Sequence, residues 1–331
     1  MARSLPPDVV VMIHGAGGGA WEYQFWKPEF EHAGWKVVVP ELEPAAGGLA
    51  ATHFADYVAQ VRHAVLEPHR RLVLVGASMG GILALAVAAR EHPDAVVLVD
   101  SVPPAHVGPS RPHKPYPAIM HWANGPLKDT EDAMPDSDPA TIQWAYKRWR
   151  DESGAVLNEI SQGIAVEKPR VPVLVVIGSK DTDIPPSSGL ALAEWASADV
   201  QLYRGASHVG PLMGRRAAAI ADSVVDWLRH RMPASVLPAK RKAAALKHHE
   251  NGCVDERLAL QERAGNLKQY IRMDVPAQSR TSKPSLQERL WNAHINGSAS
   301  RYRPRRSCHA AYSVAGRAPV VPRDTAAGHG D

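Results

Sequence analysis

Six short runs of this 331-residue chain are apolar at nearly every position: 9–13, 35–39, 71–75, 95–99, 173–177 and 200–203. They are too short for helices and rich in Val, Ile and Leu, so they predict strands buried on both faces. Between them the polar positions return with helical spacing. The stretch 52–66 aligns Phe54, Tyr57, Val58, Val61 and Val65 on one side, and Pro68 follows its end. Further helices are predicted at 21–33, stopped by Gly34, and at 82–90, which is Ala/Leu-rich and free of breakers. Two more are predicted at 189–196 and 215–231. Strands that alternate with helices predict an α/β fold with a mainly parallel, doubly wound sheet covered on both faces.

Two segments depart from this alternation. Residues 103–170 are dense in proline (Pro103, Pro104, Pro109, Pro112, Pro115, Pro117) and then in aromatics (Tyr116, Trp122, Trp144, Tyr146, Trp149). An insertion of that length in a compact domain is more often functional than idle. Residues 234–331 carry 17 Lys/Arg against 8 Asp/Glu, a charge of +9, which leaves residues 1–233 at −5 within the chain's net +4. The overall basicity therefore describes the tail and gives no reason to read the core as a nucleic-acid binder. The domain boundary is set at 233. The tail is expected to form helix over 240–270 and to be disordered past Met273, where too few apolar residues could offset the ordering entropy. A basic arm centred on 301–306 is weighed against a merely solvated extension, and the latter is preferred. Both cysteines, Cys253 and Cys308, fall in this tail, so no disulfide framework or thiol chemistry is expected in the core. The first eight residues have no apolar stretch and no run reaches the length of a membrane span, so a soluble, cytoplasmic protein is expected.

Chemistry gathers where the predicted strands end. After 71–75 comes Gly76-Ala77-Ser78-Met79-Gly80-Gly81, opening a helix. A serine at a sharp strand-to-helix turn needs small residues two positions either side, and it is held out at the carboxyl edge of the sheet beside the first amides of the helix. After 9–13 comes His14-Gly15-Ala16-Gly17-Gly18-Gly19, a loop whose backbone can approach a ligand closely. After 173–177 comes an acidic turn with Asp181 and Asp183, and after 200–203 comes Gly205-Ala206-Ser207-His208. In a parallel sheet these four loops share one edge.

The loop at 14–19, the elbow at 76–80, the Gly-x-x-Asp turn at 178–181 and the Gly-x-x-His turn at 205–208 resemble, in that order, the α/β-hydrolase superfamily over about residues 8–231. The start on the His-Gly strand, with Gly19-Ala20-Trp21 after the loop, is similar to the compact cofactor-free branch that contains plant methylesterases and hydroxynitrile lyases. The resemblance implies a helical cap at 103–170, with Trp21, Trp122 and Trp144 as substrate-binding residues. It implies Ser78 as nucleophile, His208 as base and Asp181 as the orienting acid, with Asp183 and Asp100 as alternatives for the acid. The amides of Ala16 and Met79 would bind the oxyanion, with Gly17 able to share the role of Ala16, and His14 would be structural. The expected reaction is hydrolysis of a small-molecule ester with no metal or organic cofactor. His106, His113 and His121 are too poorly spaced to chelate a metal. Two alternatives stand beside it: hydroxynitrile-lyase or carbon–carbon hydrolase chemistry, and a ligand receptor on the same fold with vestigial turnover.

Overall fold

A computed structural model describes residues 6–108 and 114–232. All of them belong to one compact unit. The tail expectations, including the helix at 240–270, the two cysteines and the basic cluster, lie outside the described residues, as does His113.

Six strands form one sheet: β1 (Asp8–Ile13), β2 (Lys36–Val38), β3 (Arg71–Ala77), β4 (Ala95–Val99), β7 (Val173–Gly178) and β8 (Asp199–Tyr203). Their order is β2-β1-β3-β4-β7-β8 and every pairing is parallel. The near-continuous apolar runs are explained by what lies on each face. Val9, Val11, Ile13, Leu72, Leu74 and Val96 pack on one side with α2 (Phe54–Val65), α3 (Met79–Glu91) and α7 (Pro186–Ala196). The alternate residues, among them Val10, Met12, Val73, Val75 and Val97, pack on the other side with α1 (Lys27–His32) and α9 (Ala217–Arg231). Each such side chain, fully withdrawn from water, contributes about 1.5–3 kcal/mol, so neither face could be made polar without losing its helix layer.

The helix expected over 21–33 is interrupted. Ala20–Tyr23 is a single 3-10 turn, and α1 starts only at Lys27, with Pro28 in its first turn. Proline lacks the amide a continuing helix would need and is tolerated only at a helix start. The break lets two buried side chains reach polar partners. The Tyr23 hydroxyl donates to the Ile13 carbonyl at 2.9 Å, and Trp26 Nε1 donates to that of Pro211 at 2.9 Å.

The insertion after β4 holds α4 (Leu127–Ala133), α5 (Pro139–Tyr146) and α6 (Gly154–Gln162). It also holds something not expected from the sequence, an antiparallel ribbon of β5 (Ile119–Met120) and β6 (Glu152–Ser153). The starts of α5 and α6 are capped in the usual way: Asp138 accepts from the Thr141 amide and Ser153 from that of Val156. Between α7 and α9 a four-residue turn of helix, α8 (Gly210–Met213), follows His208 directly. No described helix is long and apolar enough to cross a membrane.

Candidate active site

Strand β3 hands over to α3 at Ser78, which has φ 51° and ψ −118°, a conformation that side chains rarely adopt. The crowding around it accounts for its neighbours. A methyl at Gly76 would collide with the Gly80 carbonyl, and one at Gly80 with the Ile13 carbonyl. The backbone of Ser78 is locked by its amide donating to Val99 O at 3.0 Å and its carbonyl accepting from Gly81 and Val102, both at 3.1 Å. Met79, almost fully buried, heads the helix, where the first amides have no intrahelical acceptor.

The loops after β7 and β8 meet. His208 Nδ1 and Asp181 Oδ2 are 2.8 Å apart, and the Asp181 side chain has no exposure. The other Asp181 oxygen accepts from the amides of Asp183 and Ile184, each at 2.8 Å, so the carboxylate is held from both ends. Burial opposes a charge on the imidazole, but the hydrogen bond and charge of Asp181, with smaller contributions from Asp183 and Asp100, outweigh it and hold His208 at about 9. No hydrogen bond joins Ser78 to His208 among the described residues, and such contacts commonly tighten only when substrate is bound.

The alternative acids are placed otherwise. Asp183 contributes its backbone amide to Asp181. Asp100, with φ 40°, accepts from the Gly178 amide at 2.7 Å through Oδ1, and its buried Oδ2 has no hydrogen-bond partner among the described residues. Burial first, then the neighbouring Asp181 charge, push Asp100 well above the usual carboxylate range. Of two acids at one sheet edge, Asp181 therefore faces the histidine, while burial disfavours a charge on Asp100.

The loop at 14–19 has almost no side chains to hold it, so its shape depends on hydrogen bonds. His14 Nδ1–H donates to Gly15 O at 2.8 Å and Nε2 accepts from Leu42 N–H at 3.1 Å. Burial lowers its pKa to about 4, favouring the neutral ring, and these two partners set its tautomer. The Gly15 amide donates to Glu22 Oε2 at 3.1 Å, that of Gly17 to Glu152 Oε2 at 2.9 Å, and that of Gly18 to Gly15 O at 3.4 Å. Of the amides from Gly15 to Gly18, that of Ala16 is left with no acceptor among the described residues. The Gly17 amide is thus already engaged.

The three tryptophans singled out from sequence are divided. Trp21 meets Trp144 edge-on at 5.6 Å and Trp149 at 4.9 Å, and the Arg148 guanidinium lies 3.8 Å from the Trp144 ring centre. Trp21 and Trp144 are therefore packed into one aromatic cluster. Trp122 stands apart, 37% exposed, with its ring over Gly17. Two shallow surface clefts of about 480 and 420 Å³ are lined by 167–170 and by residues around Glu41 and His63, and by none of Ser78, Asp181 or His208. No group of three or more His, Cys, Asp or Glu poised to hold a metal occurs among the described residues.

Three side chains that sequence reasoning missed lie at this site: Glu22, Arg150 and Glu152. Glu22 offered one signal, a carboxylate between Trp21 and Tyr23. Its carboxyl lies beside Gly15, opposite Ser78. Burial raises it from 4.5 to about 7, against the Gly15 amide and the charge of His208, which lower it. The folded protein thus keeps a proton that the unfolded chain releases from pH 4.5 upward. Its contribution is fully present below that pH and is lost as pH rises to about 7, a change of about 3 kcal/mol. Glu22→Gln should flatten this part of the stability–pH curve, measured by thermal melts from acid to neutral pH. A variant curve parallel to that of the parent would contradict the assignment.

The family model described as the alpha/beta hydrolase family matches residues 10–223. Norfluorocurarine synthase 1 from a Strychnos species is 31% identical over 153 residues, 41% of this chain and 56% of that protein, so the match spans little more than half of the relative. Among solved structures, polyneuridine aldehyde esterase superposes with a TM-score of 0.52 at 20% identity, covering 66% of this chain and 99% of that one. A methylesterase from Arabidopsis gives 0.52 at 15% identity, covering 66% and 98%.

Proposed function

The chain belongs to the alpha/beta hydrolase family, and from that premise we propose that it is a serine hydrolase cleaving a carboxylic ester of a small or medium apolar substrate. The observation that carries the proposal is the pairing of His208 with a buried, doubly anchored Asp181 on the same sheet edge as a serine in a strained elbow. The esterase and methylesterase among the structural neighbours are consistent with it.

In this reading Ser78 Oγ attacks the ester carbonyl while His208 Nε2 takes its proton. The negative charge that forms on the carbonyl oxygen is met by the amides of Ala16 and Met79. His208 returns the proton to the departing alkoxide, giving the alcohol and an acyl-enzyme. Water then gives His208 a proton as it attacks, and Ser78 recovers its proton as the acid leaves. Asp181 holds the imidazole tautomer and stabilises the imidazolium. Residues 103–170 act as a cap, and 234–331 as an extension outside the catalytic unit.

Intact-mass labelling with a fluorophosphonate tests the reading. One adduct on the full chain and none on Ser78→Ala is expected, with ester turnover by the parent alone; a folded parent that takes no adduct would overturn it. Because the base form of His208 is required, kcat/KM should rise with pH along a limb lying above the ordinary imidazole value of 6.5. A rate independent of pH through that limb would remove His208 from the role.

A further inference from the structure

The Ala16 amide is bracketed. Its neighbour on one side, the Gly15 N–H, is held by Glu22 from the core of the domain. Its neighbour on the other side, the Gly17 N–H, is held by Glu152, which belongs to the insertion 135 residues away. The Gly17 carbonyl accepts from the Arg150 amide at 2.7 Å, and Arg150 Nε donates to Gly18 O at 2.7 Å. Both sides of the Gly17 residue are thus tied to strand β6 and the residue two before it. Gly17 itself has φ 66° and lies beneath the Trp122 ring, so no side chain could supply the grip instead.

Glu152 is 3% exposed, and a buried carboxylate is costly unless donors surround it. Three do. Besides the Gly17 amide, the Tyr57 hydroxyl donates to Oε1 at 2.7 Å and so does the Ser153 amide at 2.7 Å. Burial and the nearby Glu152 raise Tyr57 far above the usual phenol, so it remains a donor. Packing alone would be served better by an apolar residue. With the Tyr57 hydroxyl and the Ser153 amide holding Oε1, Oε2 is fixed on the peptide that follows Ala16.

We propose that Glu152, steadied by Tyr57, is a positioning residue that aims the Ala16 amide, so that stabilisation of the oxyanion depends on a residue of the insertion. This rests on the esterase reading above. It gives the insertion a part in rate as well as in substrate choice, because a displacement of β6 would misdirect a donor the transition state needs. A misplacement of about 1 Å can cost roughly 100-fold in rate.

The test uses the full chain with Glu152→Ala, Glu152→Gln and Tyr57→Phe. The readouts are kcat and KM for an ester the parent turns over, and affinity for a trifluoromethyl ketone, whose adduct places an oxyanion in the hole. Glu152→Ala should lower kcat about 100-fold with KM little changed, and weaken the ketone by a similar factor. Glu152→Gln keeps one acceptor and should recover part of the loss. Tyr57→Phe should give a smaller loss of the same kind. The proposal is overturned if these variants melt lower but keep the parent kcat and ketone affinity. It is also overturned if Glu152→Gln exceeds the parent, since charge rather than position would then be the influence. If Glu152→Ala does not fold, the other two decide by the same criteria. A parent with neither labelling nor turnover sinks the esterase reading and this proposal together; a parent that turns over but is indifferent to residue 152 sinks only the second.

Discussion

Replacing Ser78 by alanine should lower kcat by about a million-fold while leaving the fold intact. Losses of that order follow removal of a nucleophile whose base and acid have no other work to do, and what remains comes from the oxyanion donors and substrate binding. The measurement is single-turnover hydrolysis of an activated ester, with circular dichroism as a check on folding. A loss of less than about 100-fold would mean that another group attacks the carbonyl. The same position allows a second reading of the strain. Alanine keeps the Cβ and so keeps the cost of φ 51°, whereas Ser78→Gly relieves it. Strain at such a residue is of order 1–3 kcal/mol, so Ser78→Gly, equally inactive, should melt above Ser78→Ala. Equal melting temperatures would show that the elbow stores nothing at this residue.

Asp181→Asn is expected to lower kcat by about 10,000-fold, the scale seen when a triad acid can no longer hold the histidine tautomer. An amide at 181 could still accept from Asp183 and Ile184, so the turn should survive while the imidazole loses its acceptor. The pH limb assigned to His208 should shift downward in this variant, because the largest influence raising the imidazole is gone. Asp100→Asn should behave differently. Its carboxyl accepts from the Gly178 amide rather than from the imidazole, and an amide oxygen can take that bond, so a loss within about tenfold is expected. If Asp100→Asn were the more damaging of the two, the acid would have to be reassigned to the loop after β4.

The parts of this arrangement that could be read from one chain are those with a local signature. A strand buried on both faces shows as an unbroken apolar run, as at 9–13 and 173–177, so the sheet and its parallel sense were legible. Ser78, Asp181 and His208 each stand in a loop of small residues just past such a run, and the structure places them after β3, β7 and β8. The break before α1 was legible in principle at Pro28, but the apolar spacing of 21–33 concealed it. The ribbon of β5 and β6 has two residues a side, too few for any period to show. Glu152 and Arg150 sat in a charged stretch, Arg150-Asp151-Glu152, that reads as solvated surface. Their meaning depends on a contact with Gly17 across 135 residues, and nothing local marks such a contact. The mutual packing of Trp21 and Trp144 was equally silent, because edge-on contact between rings far apart in the chain leaves no local mark.

The central pairing of β4 with β7 spans the whole insertion, Val96 aligning with Val173 and Val99 with Val176. The β3–β4 and β7–β8 pairings are far more local, Val73 aligning with Ala95 and Leu174 with Asp199. Closing a longer loop costs only about 0.6 kcal/mol per doubling of its length, but pairings distant in sequence slow folding. The β3–β4 and β7–β8 pairs are therefore expected to gain amide protection first in pulsed hydrogen exchange, with the joining of β4 to β7 last; simultaneous protection would refute this order. A chain still leaving the ribosome would then hold the serine's turn before it holds the aspartate and histidine. The hydrolase would be born inert and become reactive only on its last strand pairing.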